Sequence, residues 1–376
     1  MARRYLQAEY AKAAKNNPNF QIISAQVNDI SVEQGIYPCI HSDGEPKLYD
    51  AIVLAPGLQF RAAPHRFPNV KVISPYPAGQ LSSIDKDAPI LVLGSRLAAV
   101  DVLVHLAAVR HRGPIDIHSR TGLFPAVRRE VVKPKSRSFL DQYLTNAIGA
   151  GPGQPRSFLL IELFTQHIAR TGMQLSEFMP QPNRDGRRQL DYEIRLCEDR
   201  LNVWEPLMMD IIDCLNLIWP SLSAEEKHYF HQEVSLSWLG RLANSMPLRN
   251  ATIVHNLFER GQLRSVMVEE LTTAKIDGYR FIINATGQRT AEEDTLLTSA
   301  ANRGLLRFNC RGGVAIDSSN NRLHPDIPIY ANGAIIQGEI FTTNSIYSSV
   351  QGAQAIAFDL VRIASRTNAA CAISKA

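Results

Sequence analysis

Cysteine is scarce in this chain and never clustered. The five residues Cys39, Cys197, Cys214, Cys310 and Cys371 are odd in number and form no C-x-x-C pair. A disulfide scaffold, a cysteine-rich zinc module and a redox-active dithiol are thereby excluded. Charge of one sign is lacking too. Lys+Arg number 40 against 36 Asp+Glu, a net +4 that is too weak to define a nucleic-acid surface. No long hydrophobic run occurs, because the best stretch, 207–219, is broken by Asp210, Asp213 and Asn216 and cannot span a bilayer. The first fifteen residues are basic but have no apolar core and carry Glu9, so they read as an amphipathic helix and not a signal peptide. A reducing, cytoplasmic setting is expected. There is no Gly-x-Ser-x-Gly elbow, no Walker loop and no His-Glu-x-x-His pair. His228 and His231, near Glu225 and Glu226, lack a third ligand, so no metal site is expected.

With 376 residues, 45% of them hydrophobic, the chain has room for two or three domains of roughly 100–200 residues each. Short apolar strands are predicted at 20–24, 27–32 and 36–41, and a buried one at 49–55 (YDAIVLA), stopped by Pro56 and Gly57. A linker rich in proline and small residues covers about 62–87. Beyond it, 89–93 (PILVL) reads as a fully apolar strand, Gly94 as a turn, 97–106 as a helix and 115–118 as a second strand. This β-turn-α-β unit has the size of one mononucleotide-binding half. After a Gly/Pro break at 149–155 the pattern turns helical. Apolar residues from Leu190 to Ile218 alternate four and three apart, and Pro206 divides them into two consecutive helices. Ser223 and Glu226 form a capping-box start. Strand patterns return at 263–268, 279–284, 312–317 and 328–333, and a helix over 349–364 closes the chain.

The turn Gly94-Ser95-Arg96-Leu97-Ala98-Ala99 follows a strand and opens a helix. A dinucleotide turn needs a glycine for the tight bend, a second where backbone approaches the pyrophosphate, and a small third residue for helix–strand packing. Gly94 and Ala99 suit the first and third roles, while Arg96 holds the second. Two readings stay open: a nicotinamide-dinucleotide site whose Arg96 turns outward to meet phosphate, or a turn of this shape that no longer binds. The second strand ends in Ser119 and Arg120 and not in a carboxylate, which favours NADP over NAD. The basic run that follows (Arg128, Arg129, Lys133, Lys135, Arg137) has two readings, a guide for a phosphate or an acidic partner and, more commonly for such runs, a solvated loop.

Two further turns, Ala55-Pro56-Gly57 and Ala285-Thr286-Gly287, end apolar strands on either side of the βαβ unit. Here the sequence resembles the two-dinucleotide-binding-fold flavoproteins of the glutathione-reductase-like superfamily, in which Ala-Thr-Gly turns mark the crossings between domains. A narrower resemblance, to bacterial FAD/NAD(P)-binding oxidoreductase-like proteins, runs through ILVLGSRLAAVDVLVHL, IHSRTGLFP, the helical block, INATG, GGVAID and IYANGAIIQGEIFTTNSI. It implies an α/β chain of nested Rossmann-like FAD/NAD(P)-binding domains with an all-helical insertion. The partial FAD-type unit would comprise 1–80 and 281–376, and the NAD(P)-type unit 81–280, with the insertion at about 150–248.

The resemblance further implies Gly57, Thr286, Gly287, Asn332, Gly333, Gly338, Phe341 and Thr342 as FAD neighbours, and Gly94, Ser95, Arg96, Ala99, Ser119 and Arg120 as neighbours of NADP or NAD. Asn332-Gly333 stands where disulfide-reductase relatives carry a Gly-Asp pair. The family opens with a G-x-G-x-x-G turn for the FAD pyrophosphate, and no such turn occurs in this sequence. The FAD-type domain is therefore expected to be incomplete at its N-terminus, with a partner chain as one source of the segment. The implied function is hydride transfer from NAD(P)H to FAD and onward to an unspecified small molecule. The alternative is a non-catalytic nucleotide-binding or protein-interaction module that keeps the fold.

Overall fold

The computed structural model describes residues 2–35, 37–42, 45–57, 60, 69–129, 141–142, 145–146, 156–170, 172, 185–201, 204–223, 225–228, 236–343 and 346–373. It opens with α1 (Ala2–Asn16), and Phe20 packs back edge-on against Tyr10 with ring centroids 5.5 Å apart. No strand forms at 20–24, because Phe20, Ile22 and Ile23 stay exposed and find no partner strand. The next expected pair does form: β1 (Asp29–Glu33) and β2 (Tyr37–His41) are antiparallel, joined by β3 (Lys47–Leu48).

β4 (Ile52–Leu54) then runs parallel to a strand from the far end of the chain, β12 (Ile329–Ala331), with Val53 opposite Tyr330. Ile52, Leu54, Ile329 and Ala331 face a core completed by Ile30, Leu297, Val314, Ile335 and Ile336. Among the described residues, β12 is the sole hydrogen-bonded strand neighbour of β4.

The second core surrounds a five-stranded, wholly parallel sheet. β5 (Lys71–Ile73) lies at one edge, followed in the chain by β6 (Ile90–Leu93), α2 (Leu97–Ala108) and β7 (Ile115–His118). The strand order is β10-β7-β6-β11-β5, where β10 is Leu263–Ser265 and β11 is Phe281–Asn284. β6 is buried along its whole length, as a central parallel strand covered on both faces must be. α2 covers one face with Val100, Leu103 and Leu106, while Leu91, Val266, Tyr279 and Ile282 fill the other. β5 and β11 thus hydrogen-bond into this sheet, although the sequence reading assigned 71–73 and 281–284 to the flanking unit. No strand was expected at 71–73, which fell in the 62–87 linker, and an apolar strand such as 281–284 does not reveal its partner.

The helical block follows a short parallel pair, β8 (Val127–Arg128) and the later β9 (Met246–Pro247). It holds α3 (Arg156–Arg170), α4 (Gly186–Glu198), α5 (Trp204–Ile218) and α6 (Leu236–Ala243), before α7 (Leu248–Glu259) returns to the sheet. Asp185 caps α4 by accepting from the Arg188 N–H at 2.9 Å. Pro206 falls in the first turn of α5, where its missing N–H loses no helical bond, so two helices form as expected. The Ser223 and Glu226 capping box closes at 3.1 and 2.8 Å. α8 (Thr273–Asp277) and α9 (Thr295–Asn302) complete the chain's middle. Residues 312–317 make only isolated bridges, because Asn309 gathers the loop through the N–H groups of Arg311 and Gly313. The last helix, α10 (Ile346–Ile373), is longer than expected at both ends. No helix among the described residues is long and apolar enough to cross a membrane.

Candidate functional site

At the C-terminal ends of β6, β7 and β11 an open cleft of about 1790 Å³ cuts into the surface. It lies where strand order reverses: the chain runs outward from β6 to β7 and β10 on one side, and β11 and β5 lie on the other. Such a switch point is where open parallel sheets bind ligands, because the diverging connections leave a crevice. Seven of the expected site residues line it together: Gly94, Ser95, Arg96, Ser119, Arg120, Thr286 and Gly287.

Gly94 is there for a steric reason. Its φ is +102°, and a Cβ on it would sit 2.4 Å from the Ala285 carbonyl oxygen. Only glycine lets the β6 turn press against the end of β11. Ser95 is buried and donates to the Leu123 carbonyl at 2.7 Å, so its other 2.7 Å bond takes the proton of Ser119. Ser119 in turn accepts from the Gly122 N–H at 3.0 Å. These bonds tie the tips of β6 and β7 together. Thr286 is fixed by Asn284, whose side-chain oxygen accepts both the Thr286 hydroxyl at 2.7 Å and its N–H at 3.3 Å.

Arg96 stands just before α2 in extended conformation, with no side chain capping the helix. Leu97 and Ala98, which carry the first amides of α2, face the same cleft. A helix start without a side-chain cap leaves N–H groups and partial positive charge directed outward, a setting that favours phosphate. The Arg96 side chain does not turn fully outward. It lies partly buried, and burial together with the charge of Arg241 pushes its pKa down to about 10. Arg241 is itself buried on α6, donating to Glu193 of α4 and to the Phe124 carbonyl at 2.5 and 2.6 Å. Glu193 also accepts from the Val127 N–H and from Gln189. The helical block is thereby anchored beside the Gly94–Ala99 turn, and it adds Gly240 and Asn244 to the cleft wall.

Ala99 does not reach the cleft. It is fully buried between α2 and the sheet, the packing role its small size allows. The remaining predicted residues lie apart from the cleft lining. Gly57, after β4, has φ +70° and open space beside it. Asn332 receives the Gly333 N–H on its side-chain oxygen, donates to the Ser349 carbonyl at 2.9 Å, and links to β4 through the Leu54 carbonyl. Gly333 has φ +79° and no atom where a Cβ would stand, so the backbone after β12 is bare on that side. Gly338, Phe341 and Thr342 turn toward α5 instead. Trp219, just beyond α5, donates to the Gly338 carbonyl at 3.1 Å and packs its ring, tilted by 58°, against Phe341 with centroids 5.3 Å apart, and Asn216 bonds Thr342 through N–H and hydroxyl at 3.1 Å each.

Several lining residues carried no clear sequence signal. Phe60, Tyr76 and Gln288 belong to connections whose pairing only the fold reveals: Phe60 bridges Gln288, and its ring lies 5.4 Å from that of Tyr76. Asp101 is the single acidic residue of α2, and it accepts a hydrogen bond from Tyr76. Among the described residues no group of three or more His, Cys, Asp or Glu is arranged to hold a metal.

The residues present fit a nicotinamide dinucleotide: volume, an open helix start and two arginines converge at one crevice. The FAD set is divided, with bare backbone at Gly57 and Gly333 but side chains of Phe341 and Thr342 already engaged.

No family model matches the chain, and no curated protein matches it. Solved structures do. An ornithine hydroxylase from Pseudomonas aeruginosa is 15% identical with TM-score 0.50, covering 95% of this chain and 74% of its own. An ornithine N-hydroxylase from Kutzneria sp. 744, solved with reduced FAD, NADP+ and L-ornithine, is 13% identical with TM-score 0.50, over 96% of this chain and 77% of its own. The chain has the two-dinucleotide-binding fold of flavoprotein oxidoreductases.

Proposed function

We propose that this chain is a flavin-dependent oxidoreductase that takes hydride from NADPH. The observation that carries the reading is the cleft at the switch point, where the close-packed Gly94 turn, the first amides of α2, Arg96 and Arg120 meet. Its phosphate-binding part is built by this chain alone. The amides of Leu97 and Ala98 and the Arg96 guanidinium hold the pyrophosphate, while Arg120 at the tip of β7 meets a 2′-phosphate. That arginine favours NADP over NAD. The wall of helical insertion at Gly240 and Asn244 keeps the nucleotide against the sheet.

FAD, when bound, supplies the hydride acceptor and passes electrons to a small-molecule substrate. This chain contributes the turns at Gly57, Thr286–Gly287 and Asn332–Gly333, with Asn332 joining β4, β12 and α10. The two solved structures described above are ornithine hydroxylases, and the final acceptor here is left as a small molecule of unassigned type.

The test is equilibrium dialysis against FAD followed by NADPH oxidation. Flavin retention and NADPH consumption support the reading. NADPH binding without flavin retention favours the non-catalytic nucleotide-binding module.

A further inference from the structure

We propose that Tyr76, held by Asp101 and backed by Phe60, is the surface on which the nicotinamide half of the dinucleotide rests. This rests on the dinucleotide reading of the cleft. The orientation follows from the sheet. A dinucleotide whose 2′-phosphate end lies at the tip of β7, on Ser119 and Arg120, crosses the start of α2 with its pyrophosphate. Its other half must then continue past β6 toward β11 and β5. The connections after those two strands supply Thr286, Gly287 and Gln288 on one side, and Ser74, Tyr76 and Pro77 on the other, all of them cleft residues.

Among the described residues, two aromatic rings occur in that half of the cleft, Phe60 and Tyr76, with centroids 5.4 Å apart and planes tilted by 54°. Tyr76 is 41% exposed, so one side of it faces the open crevice while Phe60 covers another. Its hydroxyl donates to the Asp101 carboxylate on α2, which ties the ring to the same helix whose start receives the pyrophosphate. The bridge between Phe60 and Gln288 fixes Phe60 to the turn after β11. An aromatic face held in this way offers a flat, weakly hydrated partner to a pyridine ring. Asp101 acts through Tyr76 and is a positioning residue. Burial and the neighbouring carboxylate push the Tyr76 pKa up, so it remains a donor throughout the working pH range.

The test separates the two halves of the nucleotide. NADP+ and 2′,5′-ADP, which lacks the nicotinamide half, are titrated calorimetrically into wild type, Tyr76→Ala, Tyr76→Trp, Asp101→Leu and Asp101→Asn. Tyr76→Ala is expected to weaken NADP+ about tenfold while 2′,5′-ADP stays within about twofold. Tyr76→Trp keeps the aromatic face and restores NADP+ affinity. Asp101→Leu follows Tyr76→Ala, whereas Asp101→Asn, which still accepts the hydroxyl, behaves as wild type. If Tyr76→Ala weakens both ligands alike, or neither, the assignment of this wall is overturned while the cleft reading stands. If wild type binds neither ligand, both fall together.

Discussion

Gly94→Ala tests whether the β6 turn is as tight as its geometry demands. The added methyl would stand 2.4 Å from the Ala285 carbonyl oxygen and 2.8 Å from its carbon, both backbone atoms that cannot rotate away. Relief requires the tip of β6 or of β11 to move by several tenths of an ångström, a strain of the overpacking kind that costs about 1–3 kcal/mol. The φ of +102° adds about 1–2 kcal/mol, because an L-residue is disfavoured there. Together the loss is about 2–5 kcal/mol, read from urea unfolding midpoints. The control is Gly122→Ala, at φ +66° with nothing within 4 Å of the new methyl, where only the conformational part of about 1–2 kcal/mol applies. The difference between the two variants isolates the contact with Ala285. Equal destabilisation of both would refute the close approach, and with it the steric reason for glycine at this turn.

Glu193→Ala leaves the buried Arg241 charge without its carboxylate beside Arg96, and should destabilise by about 3–5 kcal/mol in denaturant titrations. Arg120→Ala should weaken NADP+ binding about tenfold or more and leave NAD+ unchanged in parallel titrations, because only the 2′-phosphate is affected. Asp116 accepts from Arg264 at 3.1 and 3.2 Å and from the Tyr279 hydroxyl at 2.5 Å. Burial pushes its pKa up, but these partners and Lys275 outweigh it and hold the carboxyl below the usual range. Its stabilising contribution is therefore full above the unfolded-state value near ~3.9 and disappears as pH falls through the lower folded-state pKa. Asp116→Asn should cost about 2 kcal/mol at pH 7 and flatten that acid-side loss in stability measured against pH. Leu103→Ala, in the core between α2 and the sheet, should cost about 2–5 kcal/mol by the same assay.

The sheet strands were legible in the sequence wherever apolar runs met glycine. YDAIVLA, PILVL and FIIN became β4, β6 and β11. Their partnership was not legible, because a run buried on both faces carries no mark of its neighbour. Hence β11 pairs within a sheet to which the resemblance had not assigned it, and β5, too short and exposed to mark itself as a strand, lay in the stretch read as a linker. The segment at 20–24 shows the converse, since apolar character without a partner strand leaves residues exposed. At the cleft, glycine, Arg96 and Arg120 were read from local turn chemistry. Tyr76, Phe60 and Asp101 were not, because their association spans a connection, a loop and a helix face. One of the two open readings turned the Arg96 side chain outward to meet phosphate, whereas it lies partly buried. The buried Arg241–Glu193 pair beside it, contributed by two helices far along the chain, sets its partly buried course.

The most direct measurement is a crystal structure with NADP+ bound. The 2′-phosphate is predicted on Arg120 at the tip of β7, the pyrophosphate at the start of α2 beside Arg96, and the nicotinamide beyond β6 toward Tyr76. A nucleotide bound in the reverse direction, or outside this cleft, would contradict the account.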